Sequence, residues 1–275
     1  MGNKFCGCIT ALVTPFDKNN KINYQQLAKM LDFQIKSGVS GVVIAGTTGE
    51  GSLLSCTEKS ELLSFAIKYI NKRILCIAGV AACKTIDAIE QVKNATNIGA
   101  DACLVVSPYY VKGTQNGIYK HYKQIAELGG GKIIIYNVPG RTGVNVEPKT
   151  IIKLSKINNI VGLKQASSNI SDLLEIKRGV GENLAIFSGE DGLVFPMLAC
   201  GAVGAISVAS NIVPRKMQRL CDLYFCGEIA ASRRLQLSFL PLVKKLFEKV
   251  NPVPVKNLLN KQKKFFVGKP RLPLC

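Results

Sequence analysis

Eight short apolar runs recur along this chain, and each is followed by a loop and a helical pattern. The runs are Cys8–Val13, Gly41–Ala45, Ile74–Ala78, Ala102–Val106, Lys132–Tyr136, Ile160–Leu163, Leu184–Phe187 and Val203–Val208. Between them, Leu27, Met30, Leu31, Phe33 and Gln34 take i, i+3, i+4 spacing, as do Leu62, Leu63, Ala66, Ile67 and Ile70. Ser55-Cys56-Thr57-Glu58 has the form of a capping box opening the second helix, and Gly99 is a suitable stop for a helix over Asp87 to Ile98. Eight strands alternating with helices require a parallel sheet. The spacing is regular and no linker divides the chain. The loop after the first strand, Thr14-Pro15-Phe16-Asp17, lacks the G-x-G-x-x-G of a dinucleotide fold. An α/β architecture closed into a (β/α)8 TIM barrel is therefore expected, in preference to an open doubly wound sheet.

The length of 275 residues suits one such barrel, and a hydrophobic content of 47% is enough for a large core. The barrel is expected over residues 1–226 as the catalytic domain, with 227–275 as a C-terminal helical extension. Within that extension Ile229–Val250 and Val253–Asn260 read as helices, broken at Asn251-Pro252. No stretch approaches the roughly 18 apolar residues of a membrane span. The start, Met1 to Cys6, has no signal-peptide core, and Cys6 stands where a myristoylation motif wants Ser or Thr.

Ten cysteines need an explanation. Cys76, Cys103 and Cys200 lie in or at the end of apolar segments and read as small buried hydrophobes. Cys6/Cys8 and Cys221/Cys226 lack the spacing of a ligand pair, and His121 is the only histidine, so no metal site is expected. Reduced thiols point to a cytoplasmic protein. The formal charge of +18 is spread along the chain and dense only over 244–270. With no nucleic-acid motif there, it reads as solvated helix faces or a general lysine bias, and no nucleic-acid partner is expected. A positive field also suits small carboxylate substrates.

A barrel gathers its chemistry at the C-terminal ends of its strands. Strand six, Ile160-Val161-Gly162-Leu163, has no polar alternation, so it reads as buried on both faces, and it ends in Lys164. An amine held among apolar groups loses hydration and is driven toward its neutral, nucleophilic form. Taken singly, a strand-end lysine that reaches solvent or an acid is the commoner case. Other strand ends add Gly46-Thr47-Thr48-Gly49-Glu50, Pro108-Tyr109-Tyr110, Tyr136-Asn137-Val138-Pro139-Gly140-Arg141-Thr142-Gly143, Ser188-Gly189-Glu190-Asp191 and Gly204-Ala205-Ile206-Ser207. The Gly-Thr-Thr-Gly turn can cradle a carboxylate or be an ordinary turn. Tyr136 and Tyr110 can relay protons or fill the barrel mouth, and Arg141 can clamp a carboxylate or pair with an acid. Their convergence on one rim is more specific than any one of them.

Together with Asn251-Pro252-Val253-Pro254-Val255-Lys256, these motifs resemble the dihydrodipicolinate synthase family of class I aldolases, within the N-acetylneuraminate lyase superfamily. The resemblance runs from about Gly7 to the Arg271-Leu272-Pro273-Leu274 tail, and Tyr136 to Gly143 is its most specific part. It implies that Lys164 forms a Schiff base with pyruvate, whose enamine attacks aspartate-4-semialdehyde held by Arg141. Thr47, Tyr136 and Tyr110 match the family's proton relay, Tyr110 reaching in from a neighbouring subunit. Thr48 matches the residue that binds the pyruvate carboxylate. The Ile206 carbonyl would lie near the lysine, and Gly189 would line the substrate site. The resemblance implies no cofactor or metal, because the protonated imine is itself the electron sink, and it implies a homotetramer built as a dimer of dimers.

The chain departs from the family pattern in places. Gln165 stands where glutamate is common, removing a carboxylate that favours the charged lysine, and a modest effect is expected. Cys56, Lys59 and Cys83 stand where lysine-inhibited relatives carry histidine, histidine and asparagine, so weak or absent lysine inhibition is expected. The sequence stops at Cys275, about where the family's last helix begins, which implies a trimmed extension and weakened pairing of dimers. Two other readings compete. An aldolase acting on a sugar acid or other keto acid is disfavoured by Arg141 in its Gly-Arg-Thr-Gly setting. A barrel without catalysis is disfavoured by the intact lysine, threonine, tyrosine and arginine set.

Overall fold

The computed structural model describes residues 5–274. Met1 to Lys4, at the start where no signal segment is read, and Cys275 lie outside the described residues. Eight parallel strands close into a barrel in chain order: β1 (Gly7–Ala11), β2 (Gly41–Ile44), β3 (Leu75–Val80), β4 (Ala102–Val106), β5 (Ile133–Asn137), β6 (Ile160–Gln165), β7 (Ala185–Ser188) and β8 (Gly204–Ser207). β8 returns to β1 with Gly7 opposite Gly204 and Ile9 opposite Ile206. The helices between them are α1 (Tyr24–Lys36), α2 (Cys56–Ile70), α3 (Thr85–Ile98), α4 (Gln115–Gly129), α5 (Pro139–Thr142), α6 (Pro148–Leu154), α7 (Ile170–Val180), α8 (Val194–Ala199) and α9 (Pro214–Phe225). Three more follow: α10 (Ile229–Ser238), α11 (Leu240–Leu246) and α12 (Val253–Lys261). Among the described residues no helix is long and apolar enough to cross a membrane.

The apolar runs have the physical cause that the barrel predicts. One set of alternate residues, including Ile9, Val43, Ile77, Leu104, Ile134, Phe187 and Ile206, fills the interior. The other set, including Val42, Ile44, Ile133, Ile135, Leu163 and Ile186, packs under the helices. Each such aliphatic side chain contributes about 1.5–3 kcal/mol when fully buried. Cys8, Cys76 and Cys103 belong to the helix-facing set. Burial pushes the Cys103 thiol up to about 12, so it packs as an unreactive hydrophobe.

Local signals hold as well. Ser55 Oγ accepts from Glu58 N at 3.1 Å and Glu58 Oε2 accepts from Ser55 N at 2.9 Å, a complete capping box on α2. α3 stops at Gly99, whose φ of +104° suits glycine. The single helix expected over Ile229–Val250 is instead two, parted at Phe239. Pro241 is the reason: it has no N–H and its ring excludes the carbonyl four residues back, so it starts a new helix in its first turn.

His121 on α4 is buried, with Nδ1 3.0 Å from Thr85 Oγ1 and Nε2 without a partner among the described residues. Burial pushes its imidazole down to about 4 from 6.5. The folded chain therefore holds it neutral while the unfolded chain protonates it, and stability is lost as pH falls from 6.5 toward 4. Thermal unfolding across that window is expected to show a slope worth a few kcal/mol in total, flattened by His121→Gln.

Candidate active site

β6 presents Lys164 to the barrel interior, because beyond the irregularity at its start Gly162, Lys164 and Ala166 share one parity and Leu163 and Gln165 the other. Ala166 belongs to the interior cluster and Leu163 to the outer one. Tyr136 on β5 and Phe187 on β7 stand directly across from Lys164 on its two sides. The lysine is only 5% exposed, and its Nζ lies 4.3 Å from the centre of the Tyr136 ring. Among the described residues no hydrogen bond or salt bridge engages that Nζ. An amine in this setting, on a rigid strand and with no partner to occupy it, is placed to add to a carbonyl.

Tyr136, against which the amine lies, also lines a cavity of about 200 Å³ together with Thr47, Tyr109, Arg141 and Thr142, among others. That is below the roughly 300–1,000 Å³ of drug-sized pockets and suits a small acid. Arg141 sits on α5, a single turn begun by Pro139 and closed by Gly143 at φ +73°, rather than on an irregular loop. Thr48 is buried and its Oγ1 accepts from Asn251 Nδ2 at 3.0 Å. Ile206 is fully buried on β8 in the interior cluster. Gly189 follows β7 where its amide donates to Gln165 O at 2.8 Å, and a Cβ there would come within 2.7 Å of the Ala166 Cβ. Only glycine lets the β6 and β7 loops approach so closely.

Tyr110 is not brought to this cavity within one chain. It is 89% exposed at φ +70°, while Tyr109 takes the place on the wall. Gln165 points away from Lys164, its Oε1 accepting from Asn137 Nδ2 at 3.0 Å. The sequence places Glu190 and Asp191 at the end of strand seven but assigns them no role. Asp191 is buried, accepts from Val208 N at 3.0 Å and Ala209 N at 2.7 Å, and ties the β7 loop to the β8 loop. Burial raises the pKa of Asp191 and of its half-buried neighbour Glu190, while the charge of Lys164 lowers both. Their position at the right end of β7 was the available signal. Among the described residues no group of three His, Cys, Asp or Glu could hold a metal.

A lysine against a tyrosine at the mouth of a closed barrel, with an arginine and paired threonines on the rim, matches one family throughout. A sequence model described as the Dihydrodipicolinate synthetase family matches residues 4–275. The chain belongs to that family. It is 43% identical over 271 residues to 4-hydroxy-tetrahydrodipicolinate synthase of Clostridium novyi (strain NT), covering 98% of this chain and 91% of that protein. The dihydrodipicolinate synthase of Acinetobacter baumannii, a chloride-inhibited enzyme solved with pyruvate, aligns with a TM-score of 0.95 at 38% identity, covering 98% of this chain and 92% of that one. The family's enzyme from Cyanidioschyzon merolae, solved with lysine bound, aligns with a TM-score of 0.96 at 34% identity over 99% and 93% of the two chains.

Proposed function

We propose that this family member condenses pyruvate with L-aspartate-4-semialdehyde to 4-hydroxy-tetrahydrodipicolinate, the first committed step toward diaminopimelate and lysine. One observation carries the reading: the buried Lys164 Nζ lies against the ring of Tyr136, and Tyr136 shares a small cavity with Thr47 and Arg141. The amine adds to C2 of pyruvate, water leaves, and loss of a C3 proton from the imine gives an enamine. The enamine carbon bonds to the aldehyde carbon, whose oxygen takes up a proton. The substrate's amino group then adds to the imine carbon and expels Lys164, closing the ring.

In this scheme Thr48 binds the pyruvate carboxylate and Arg141 that of the semialdehyde. Tyr136 and Thr47 move protons, completed by Tyr110 from a second copy of the chain. The exposure of Tyr110 and Val111 supports that last role, since both are held outward next to the cavity's Tyr109. Gly189 and the Ile206 carbonyl border the pyruvate. Barrel residues 1–226 supply the chemistry and residues 227–275 brace it, in a cytoplasmic homotetramer made of two dimers. The test is purified protein with pyruvate and aspartate-4-semialdehyde in a coupled assay, where turnover is expected. Turnover with sugar-acid aldehydes in its place would overturn the reading.

Lysine is expected to inhibit weakly or not at all. Cys56 and Lys59 line a second cavity of about 680 Å³ between α2 and α3, with Lys59 Nζ 3.3 Å from Gln91 Oε1. A cationic amino acid brought there meets the like charge of Lys59, which costs about 4 kcal/mol at 4 Å in an effective dielectric near 20. Asp87 and Glu90 on the same wall offset part of that. Submillimolar inhibition by L-lysine in a dose–response assay would refute the expectation.

A further inference from the structure

Asn251 comes from the segment between α11 and α12, outside the barrel and 203 residues from Thr48 in sequence, yet it reaches both groups that the proposed function assigns to carboxylates. Its side-chain Nδ2 donates to Thr48 Oγ1 at 3.0 Å, and its main-chain carbonyl accepts from Arg141 Nη2 at 3.2 Å. It is 7% exposed.

We propose that Asn251 is a positioning residue for carboxylate recognition, setting the direction in which the Thr48 hydroxyl donates and anchoring the Arg141 guanidinium beside it. The inference rests on the proposed function, because Thr48 and Arg141 have their anionic ligands only within it.

The polarity of the hydrogen bond is the core of the argument. A threonine hydroxyl has one proton to give and two lone pairs to fill. With one lone pair taken by the Asn251 amide, the proton is turned elsewhere, and among the described residues no acceptor takes it. A carboxylate can only accept, so a hydroxyl committed to donating is the partner it needs. An aspartate of the same shape would reverse this by drawing the Thr48 proton to itself.

The second contact acts on entropy. Arg141 is exposed and its long side chain has many rotamers, so a fixed carbonyl on one Nη2 hydrogen pre-organises the fork while leaving its other donors open. Asn251 Oδ1 is buried without a partner.

The test uses the pyruvate half-reaction, which needs no second substrate. The full-length chain is incubated with rising pyruvate, reduced with borohydride, and the adduct on Lys164 is quantified by mass. Asn251→Asp is expected to raise the half-maximal pyruvate concentration about 10- to 100-fold and Asn251→Ala about 3- to 10-fold. Both should still reach complete labelling at saturation, which also shows that they fold. In a Thr48→Ala background, Asn251→Ala is expected to add nothing further. Unchanged half-saturation in both variants, or full additivity with Thr48→Ala, overturns the inference. A wild-type chain that labels fully but does not turn over the semialdehyde overturns the proposed function and leaves the Thr48 result standing.

Discussion

Lys164→Ala abolishes the borohydride-trapped pyruvate adduct and lowers turnover by on the order of 10⁴-fold or more, since none of the residues lining the cavity beside Tyr136 carries an amine that could form the imine instead. Lys164→Arg fails in the same way although it keeps the charge, because a guanidinium does not form a Schiff base with a keto acid under these conditions. The fold persists in both: among the described residues Lys164 makes no hydrogen bond or salt bridge, and buried Asp191, whose carboxylate its charge favours, keeps its amide donors at Val208 and Ala209. Intact-mass analysis after reduction, together with circular dichroism, checks both halves of the statement. An adduct retained in Lys164→Ala would move the chemistry to another lysine and end the present assignment.

The largest stability effect is expected at Glu50 and Lys256. Both side chains are fully buried and form a salt bridge, and Glu50 Oε2 also accepts from Arg271 N at 2.7 Å. Burial pushes the Lys256 amine down while Glu50 draws it back up, so the ammonium depends on its partner. Glu50→Gln leaves that cation uncompensated in the interior, and about 3–5 kcal/mol is expected to be lost. For a chain of this size that lowers Tm by roughly 10 °C. The double variant Glu50→Gln with Lys256→Met is expected to recover most of it, because the isolated charge and not the missing attraction dominates. Thermal unfolding of the single and double variants checks this, and additive losses would refute it. Glu50 sits at φ +57° two residues after Thr48, so loosening it is expected to weaken pyruvate binding as well.

Much of the fold was legible because closed parallel barrels impose a strong local pattern. Strands buried on both faces are short apolar runs, and those runs lie within two residues of the observed strands at every end. Lys164 was legible for the same reason, as a charge that interrupts such a run. What escaped depends on contacts across the chain. Nothing in the residues near Asn251 or Lys256 says that they meet Thr48 and Glu50, since that pairing exists only once the extension folds back over the barrel mouth. The neighbours Tyr109 and Tyr110 look alike in sequence, and only the backbone turn at Tyr110 decides that one faces the cavity and the other the outside. Pro241 carried a legible break, since a proline cannot continue a helix interior, and the single-helix expectation left it out.

The bonds that fix the rim have a consequence for when the protein becomes competent. Thr48 is joined to Asn251 across 203 residues, and Glu50 to Lys256 and Arg271 across 206 and 221. Contacts so remote form late and slowly. During synthesis, then, Lys164 is made well before the residues that fasten the threonine turn.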